Sequence, residues 1–293
     1  MEKITVSETN ERLDNYLSKY LEITRSQVKK NIDNIYVNGQ NQKCGFILST
    51  GDVITYEFKE DEEIKPENIK IDIVYEDDDI MVINKPNGLV VHPGAGNSSG
   101  TLVNALMYLS KNLSDINGEY RPGIVHRIDA YTTGLLVVAK NNEAHNILAE
   151  EIKTKTAKRK YYAIVWGTFN NTSGTIDAPI GRDPNNRLKM KVIDGGKEAI
   201  THFKVLKKFK RASLLELELE TGRTHQIRCH MEYIGHPIVN DPVYGNHSLI
   251  DNSGQALHSF ELTLIHPRTK EKMTFKVETP ECFNKILKIM EEE

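Results

Sequence analysis

Leu13, Leu17 and Leu21 recur at four-residue intervals with Tyr16 and Tyr20 beside them, the spacing of an amphipathic helix. A second, short helix is expected to begin at Thr24, because Gln27 three residues on completes a capping-box pattern. It would turn Arg25, Lys29 and Lys30 outward and Val28 and Ile32 inward. The run Ile35-Tyr36-Val37 then meets Asn38-Gly39, a hairpin-turn signal, and Gly51-Asp52 leads into a further strand, Val53–Phe58. Two helices followed by a small hairpin sheet make one compact unit over residues 1–59.

Farther on the period shortens. Ile80–Asn84, Leu135–Ala139, Tyr161–Trp166, Ala199–Leu206, Ser213–Glu220 and Met273–Glu278 are rich in β-branched and aromatic residues and bounded by Gly, Pro or Asn, which predicts strands. Helical spacing intervenes at Thr101–Lys111, Glu143–Lys153, His225–Ile234 and Cys282–Glu292. Strands in succession with irregularly placed helices predict an α+β fold on a mixed, largely antiparallel sheet with flanking helices, rather than a doubly wound one.

Charge divides the chain between these parts. Residues 60–79 hold ten acids against two bases, whereas residues 80–293 carry 28 bases against 23 acids, so the net charge of −3 conceals a basic remainder. The acidic, proline-broken stretch over 60–74 reads as a linker, with a second domain over 75–293. The near-neutral total therefore does not exclude a polyanionic partner.

No apolar run approaches the roughly 20 residues of a membrane helix, and Met1–Val6 lacks the apolar core of a signal peptide, so a cytoplasmic location is expected. Cys44, Cys229 and Cys282 are too few and too scattered for a disulfide framework or a zinc knuckle. His225 and His230, five apart, do not share a helix face and make a poor metal pair. Gly94–Gly100 is glycine-rich but fits no phosphate-loop fingerprint.

The chemistry-bearing segment is Gly123–Lys140, in which His126-Arg127-Ile128-Asp129 sits in a polar loop and Thr132-Thr133-Gly134 leads into an apolar strand. Loops anchored on a rigid strand are where catalytic groups tend to sit, and an adjacent arginine keeps a carboxylate ionised and aimed. The same residues also suit an ordinary turn or ion pair. A protein-kinase catalytic loop is excluded: its spacing is one residue shorter, and the other kinase elements are absent.

Four segments, taken together and in order, carry a resemblance: Asn84–Pro93, His126–Gly134, Arg159–Gly167 and Thr221–His230, extended by Gly235-His236-Pro237 and Asp241–Gly245. The chain resembles the RluA-type family of ribosomal RNA pseudouridine synthases over essentially its whole length. Residues 1–59, with Arg12-Leu13-Asp14 opening the first helix and Val37-Asn38-Gly39 after the second, resemble an S-four-type RNA-binding domain.

The resemblance implies an isomerase that converts specific uridines to pseudouridine in structured RNA, with large-subunit ribosomal RNA the expected target and neither cofactor nor metal. Asp129 would act at the ribose of a flipped-out uridine. Tyr161 would stack on the base and assist proton removal, and Arg223 would pair with Asp129. Arg127 would share that pairing or contact phosphate, Ile227 would line the pocket, and Arg25, Ser26, Lys29 and Lys30 would lie near phosphates. The expected partner is structured RNA, bound by a monomer without a membrane. The family commonly places Lys-Asp after the aspartate; here Ala130-Tyr131 follow. That change is the one feature favouring the alternative, an RNA-binding or ribosome-assembly factor with a silent site.

Overall fold

The structure, a computed structural model, describes residues 1–7, 9–58, 64–94, 97–110, 113–116, 122–245 and 247–293, with the side chain of Ser26 outside the description. The chain divides into two units, Met1–Glu63 and Ile64–Glu293.

In the first unit, β1 (Glu2–Thr5), α1 (Leu13–Tyr20), α2 (Arg25–Lys30), β2 (Ile35–Val37), β3 (Gln40–Asn41) and β4 (Val53–Tyr56) follow in sequence. The strands form an antiparallel sheet in the order β1-β4-β2-β3. The leucine spacing places Leu13 and Leu17 of α1 in a core with Val28, Ile35, Leu48 and Ile54. The expected capping box is present: Gln27 N–H donates to Thr24 Oγ1 at 3.3 Å, and Thr24 N–H donates to Gln27 Oε1 at 2.8 Å. Asn38 and Gly39 both take positive φ, as the Asn-Gly hairpin signal requires. β1 was not expected from the pattern; its short Glu2–Thr5 run pairs along β4.

The second unit contains β5 (Asp72–Glu76), β6 (Ile80–Lys85), α3 (Leu102–Leu109), β7 (Thr133–Ala139), α4 (Asn142–Lys153), β8 (Lys158–Trp166), β9 (Ser173–Asp177), β10 (Ile180–Arg182), β11 (Met190–Val192), β12 (Ile200–Lys208), β13 (Ala212–Leu219), α5 (Gln226–Tyr233), β14 (Leu257–Ile265), β15 (Lys272–Lys276) and α6 (Glu281–Glu292). Among the described residues its main sheet has nine strands, in the order β5-β6-β7-β14-β8-β13-β12-β9, with β15 paired to β14. Every pairing is antiparallel except β7 with β14. The α+β expectation is met.

Alternation along the central strands buries both faces. Met81, Ile83, Leu136 and Val138 join a core completed by α3, α5 and α6, while Ile80, Val82, Leu135 and Val137 face α4 through Ala144 and Leu148. Two departures from the pattern-based reading have clear causes. β14, at the sheet centre, was not expected, because His258, Ser259, Glu261 and Thr263 interrupt its apolar run. The linker expectation of 60–74 is corrected in its second half. Residues 60–63 lie outside the described residues, but Ile64 and Ile71 are buried in the core, Glu67 N–H donates to Asn104 O, and β5 pairs with β6 from Asp72.

Candidate active site

Asp129 lies in the loop that enters β7, and three devices hold that loop. The buried Lys85 ammonium at the end of β6 donates to Pro86 O, Leu89 O and Ala130 O at 2.9, 2.9 and 2.7 Å. Gln255 Nε2 donates to Thr132 Oγ1 at 3.0 Å, and Thr133 Oγ1 lies 2.8 Å from His258 Nδ1. Gly134 brings β7 against β14 with φ +103°; a Cβ there would stand 2.1 Å from Ser259 O, so no other residue fits. Burial pushes the Lys85 ammonium down to about 7, opposed by the nearby Asp129 charge.

The carboxylate meets Arg228 of α5. Arg228 Nη1 donates to Asp129 Oδ2 at 3.0 Å, while Nε and Nη2 bind Asp241 Oδ2 and Oδ1 at 2.7 and 2.9 Å. Asp241 also accepts from the Val243 and Tyr244 N–H groups at 2.9 and 3.0 Å. The Arg228 and Asp241 side chains are 5% and 0% exposed, so the pair is a buried brace with one arm left for Asp129. The Arg228 guanidinium packs over the Tyr244 ring, 4.9 Å from its centroid. Burial lowers the Arg228 pKa, but the two carboxylates outweigh it and the net shift is upward.

His225 caps α5 in the left-handed conformation, with φ 54° and ψ 24°. That backbone holds its ring between Tyr244 Oη, 3.0 Å from Nδ1, and Asp129 Oδ1, 3.8 Å from Nε2. Burial lowers the His225 pKa, with Asp129 pulling the other way, so a neutral ring is favoured. Strained conformations of this kind persist where surrounding contacts over-determine them.

These groups line a cleft of about 550 Å³ whose other walls include Tyr161, Ile227, Leu219 and Leu257. Tyr161 is buried on β8, and burial pushes its phenol pKa up, so the neutral phenol dominates and it is a poor proton acceptor. Tyr162 lies on the other face of the strand, stacked on Phe260 at 3.8 Å between centroids. Ile227 is buried at the cleft wall. Arg127 is exposed and lines the cleft, but forms no ion pair with Asp129 among the described residues.

The expected pairing of Arg223 with Asp129 is corrected. Arg223 lines the cleft, yet it lies in the turn before α5, where its N–H donates to Gln226 Oε1 and its Nε to Glu198 O at 2.9 and 2.8 Å. Those bonds turn its guanidinium toward Glu198, just before β12, and Arg228 takes the place beside Asp129. The signal for Arg228 was present: an arginine among core-facing helix residues, with an acid and a tyrosine downstream at Asp241 and Tyr244.

His225 and His230 do not converge on a metal. His230 bonds Thr201 Oγ1 and Ala178 O at 2.9 Å each, away from His225. Ala130 gives the site only its carbonyl, which any residue would supply, and Tyr131 packs against Gly254. The loss of the usual Lys-Asp therefore leaves these contacts intact. In the first unit, Arg25, Lys29 and Lys30 are all exposed, and Arg25 also binds Asp14 at 2.7 Å. The Ser26 side chain lies outside the described residues.

Residues 79–233, which include the Asp129 loop, Tyr161 and Arg228, match the family model for RNA pseudouridylate synthase. The chain belongs to that family. The synthase is 47% identical to "Uncharacterized RNA pseudouridine synthase YlyB" of Bacillus subtilis, over 97% of this chain and 96% of that protein. It is 43% identical to the "Ribosomal large subunit pseudouridine synthase D" of Buchnera aphidicola, over 95% of this chain and 94% of the relative. The protein of that name from Zymomonas mobilis is 46% identical, covering 77% and 74%. Among solved structures, human RNA Pseudouridylate Synthase Domain Containing 1 superposes with TM-score 0.59 at 26% identity, over 76% of this chain and 87% of that one. The synthase is thus an RluA/RluD-like isomerase of uridine in RNA, as the motif resemblance implied. No helix among the described residues is long and apolar enough to cross a membrane.

Proposed function

We propose that this synthase modifies uridines in large-subunit ribosomal RNA and that Asp129 is the group acting at the ribose. The target reading is supported by the relatives named as ribosomal large-subunit synthases. The residue reading rests on one observation: Asp129 is held at 3.0 Å by an arginine itself braced on a buried carboxylate, at the edge of a cleft with an apolar and aromatic wall.

The reaction breaks the bond between C1′ and N1, turns the uracil, and joins C1′ to C5. The hydrogen of C5 leaves as a proton, and N1 gains one. Asp129 would attack C1′ or remove a neighbouring sugar proton, and both need a carboxylate fixed to within a fraction of an ångström. The uridine must leave its stack to enter the cleft. Tyr161 and Ile227 would then sandwich or line the base, with the Tyr161 phenol acting as a neutral wall and hydrogen-bond donor rather than a base. Arg223 and Arg127, at the mouth, would meet RNA phosphate, not Asp129. Residues 1–59 would bind RNA as an S-four-type domain through Lys29 and Lys30, with Arg25 shared between Asp14 and phosphate.

Incubation with large-subunit ribosomal RNA carrying tritium at uridine C5 tests the reading. Wild type should release tritium to solvent, and Asp129→Asn should release none while still retaining RNA on a filter. Full release by Asp129→Asn would remove Asp129 from the chemistry. No release by the wild type would favour a non-catalytic RNA-binding factor.

A further inference from the structure

A second groove, of about 1200 Å³, adjoins the catalytic cleft and shares Arg127, Arg159, Gly222 and Arg223 with it. Arg159 stands two residues before Tyr161 on β8, on the same face of the strand. It is 4% exposed and lines both cavities. Its guanidinium has no ion pair or hydrogen bond among the described residues, and its buried Nε is without a partner. Buried charges are otherwise paired, because an isolated one loses hydration worth several kcal/mol.

The surroundings keep space for this group. A Cβ on Gly222 would stand 2.8 Å from Arg159 Nη1, so a larger residue there would push the guanidinium aside. A second donor lies in the same groove. His126 Nε2 accepts from Val137 N–H at 3.1 Å, which places the proton of the neutral ring on Nδ1, and that buried atom also has no partner among the described residues. Burial and the Arg159 charge both disfavour protonation of His126, so the ring stays neutral. The groove's carboxylates do not neutralise Arg159. Glu220 is bound by Lys155 and His202 at 2.7 Å each, and Lys155 reaches Glu198 at 3.5 Å.

We propose that Arg159 and the Nδ1–H of His126 form a phosphate subsite for the RNA backbone flanking the target uridine. The proposal rests on the RNA-modifying function above. A neutral uracil could accept hydrogen bonds here but could not balance the buried guanidinium; a phosphodiester does both, and its oxygens match the fork of an arginine. The subsite would fix the strand beside the cleft while Asp129 and Tyr161 handle the nucleoside.

The test compares wild type, Arg159→Met and Arg159→Lys for tritium release from labelled large-subunit ribosomal RNA. Filter retention of the same RNA is measured in parallel across 50–200 mM KCl. Arg159→Met should raise KM by about tenfold or more, with kcat within about twofold. It should also flatten the dependence of log affinity on log salt by about one. Arg159→Lys should recover most of the salt slope, since it keeps the charge. Removal of an unpaired buried charge should leave the melting temperature of the RNA-free protein unchanged or higher, whereas a structural arginine would give a lower one. Unchanged affinity and slope, a loss confined to kcat, or a lowered melting temperature would each overturn the subsite. If wild type releases no tritium, the functional reading fails, and filter retention alone then decides the subsite. Gly222→Ala, which displaces the guanidinium without removing it, should reproduce the affinity loss if Arg159→Met does not fold.

Discussion

Arg228→Lys separates the two arginines that sequence motifs alone would confuse. Arg228 makes three charge-assisted bonds, one to Asp129 and two to Asp241, from a side chain that is 5% exposed. A lysine ammonium keeps the charge, but its single nitrogen cannot span both carboxylates. At least one of the contacts is lost and the two-pronged grip on Asp241 goes with it. Hydrogen bonds to charged groups contribute about 1.5–3 kcal/mol each, and breaking a buried ion pair costs about 3–5 kcal/mol. The variant should therefore melt well below wild type. At a temperature where it remains folded, Asp129 loses the group that aims it, and misplacement by about 1 Å costs on the order of 100-fold in rate. Single-turnover tritium release measures that step directly, and circular dichroism confirms the fold at the assay temperature. Arg223→Ala serves as the contrast, because Arg223 bonds Glu198 O and not Asp129. It should raise KM and keep kcat within about threefold. A kcat for Arg228→Lys within threefold of wild type, or an equal kcat loss in Arg223→Ala, would refute the assignment of the brace.

Further outcomes follow from the same geometry. Gly134→Ala would place a methyl 2.1 Å from Ser259 O at positive φ, so it should give no soluble folded protein; a normal circular dichroism spectrum with a melting temperature near that of wild type would contradict the close approach. Lys85→Met strips three carbonyls of their donor and should cost about 3 kcal/mol or more in urea unfolding, with kcat falling because Ala130 adjoins Asp129. Burial pushes His258 down to about 4, so between about pH 4 and its unfolded value of 6.5 the unfolded chain binds a proton that the folded chain refuses. Stability should thus be intact above pH 6.5 and fall on acidification through that window, by on the order of 3 kcal/mol relative to His258→Gln. Equal pH slopes for the two proteins in urea titrations would show that His258 titrates freely in the fold.

The elements legible from pattern were those whose period is set by a single face. Leu13 and Leu17, or the Thr24–Gln27 box, report local geometry that tertiary structure left alone. β14 was illegible for the opposite reason. It lies between β7 and β8, and two of its polar side chains take tertiary partners: His258 Nδ1 pairs with Thr133, and Glu261 with Lys160 and Lys276. A strand whose polar residues have distant partners shows no alternation, because the partners are not in the window. The acidic stretch misled differently. Its charge marks the end of the first unit, but Ile64 and Ile71 carry enough apolar surface to dock the chain before β5 begins.

The same principle explains why the motif resemblance names Asp129 and Tyr161, which line one cleft in the structure, but misses the arginine beside them. Asp129 precedes a strand and Tyr161 lies within one, so each position is defined by its own element. Which arginine reaches Asp129 depends instead on how α5 leaves β13. Arg223, in the turn, satisfies nearby backbone and never enters the core. Arg228 lies one helical turn farther on, facing inward, and a buried guanidinium there is tolerable only because Asp241, 13 residues away, closes two of its donors. The acid at 241 is thus the condition for an arginine at 228, and the arginine is the condition for an aimed carboxylate at 129. Arg159 is the exception that gives this reasoning its use. It is as deeply buried as Arg228 and has no ion pair among the described residues, and in the proposed subsite its counter-charge arrives with the RNA.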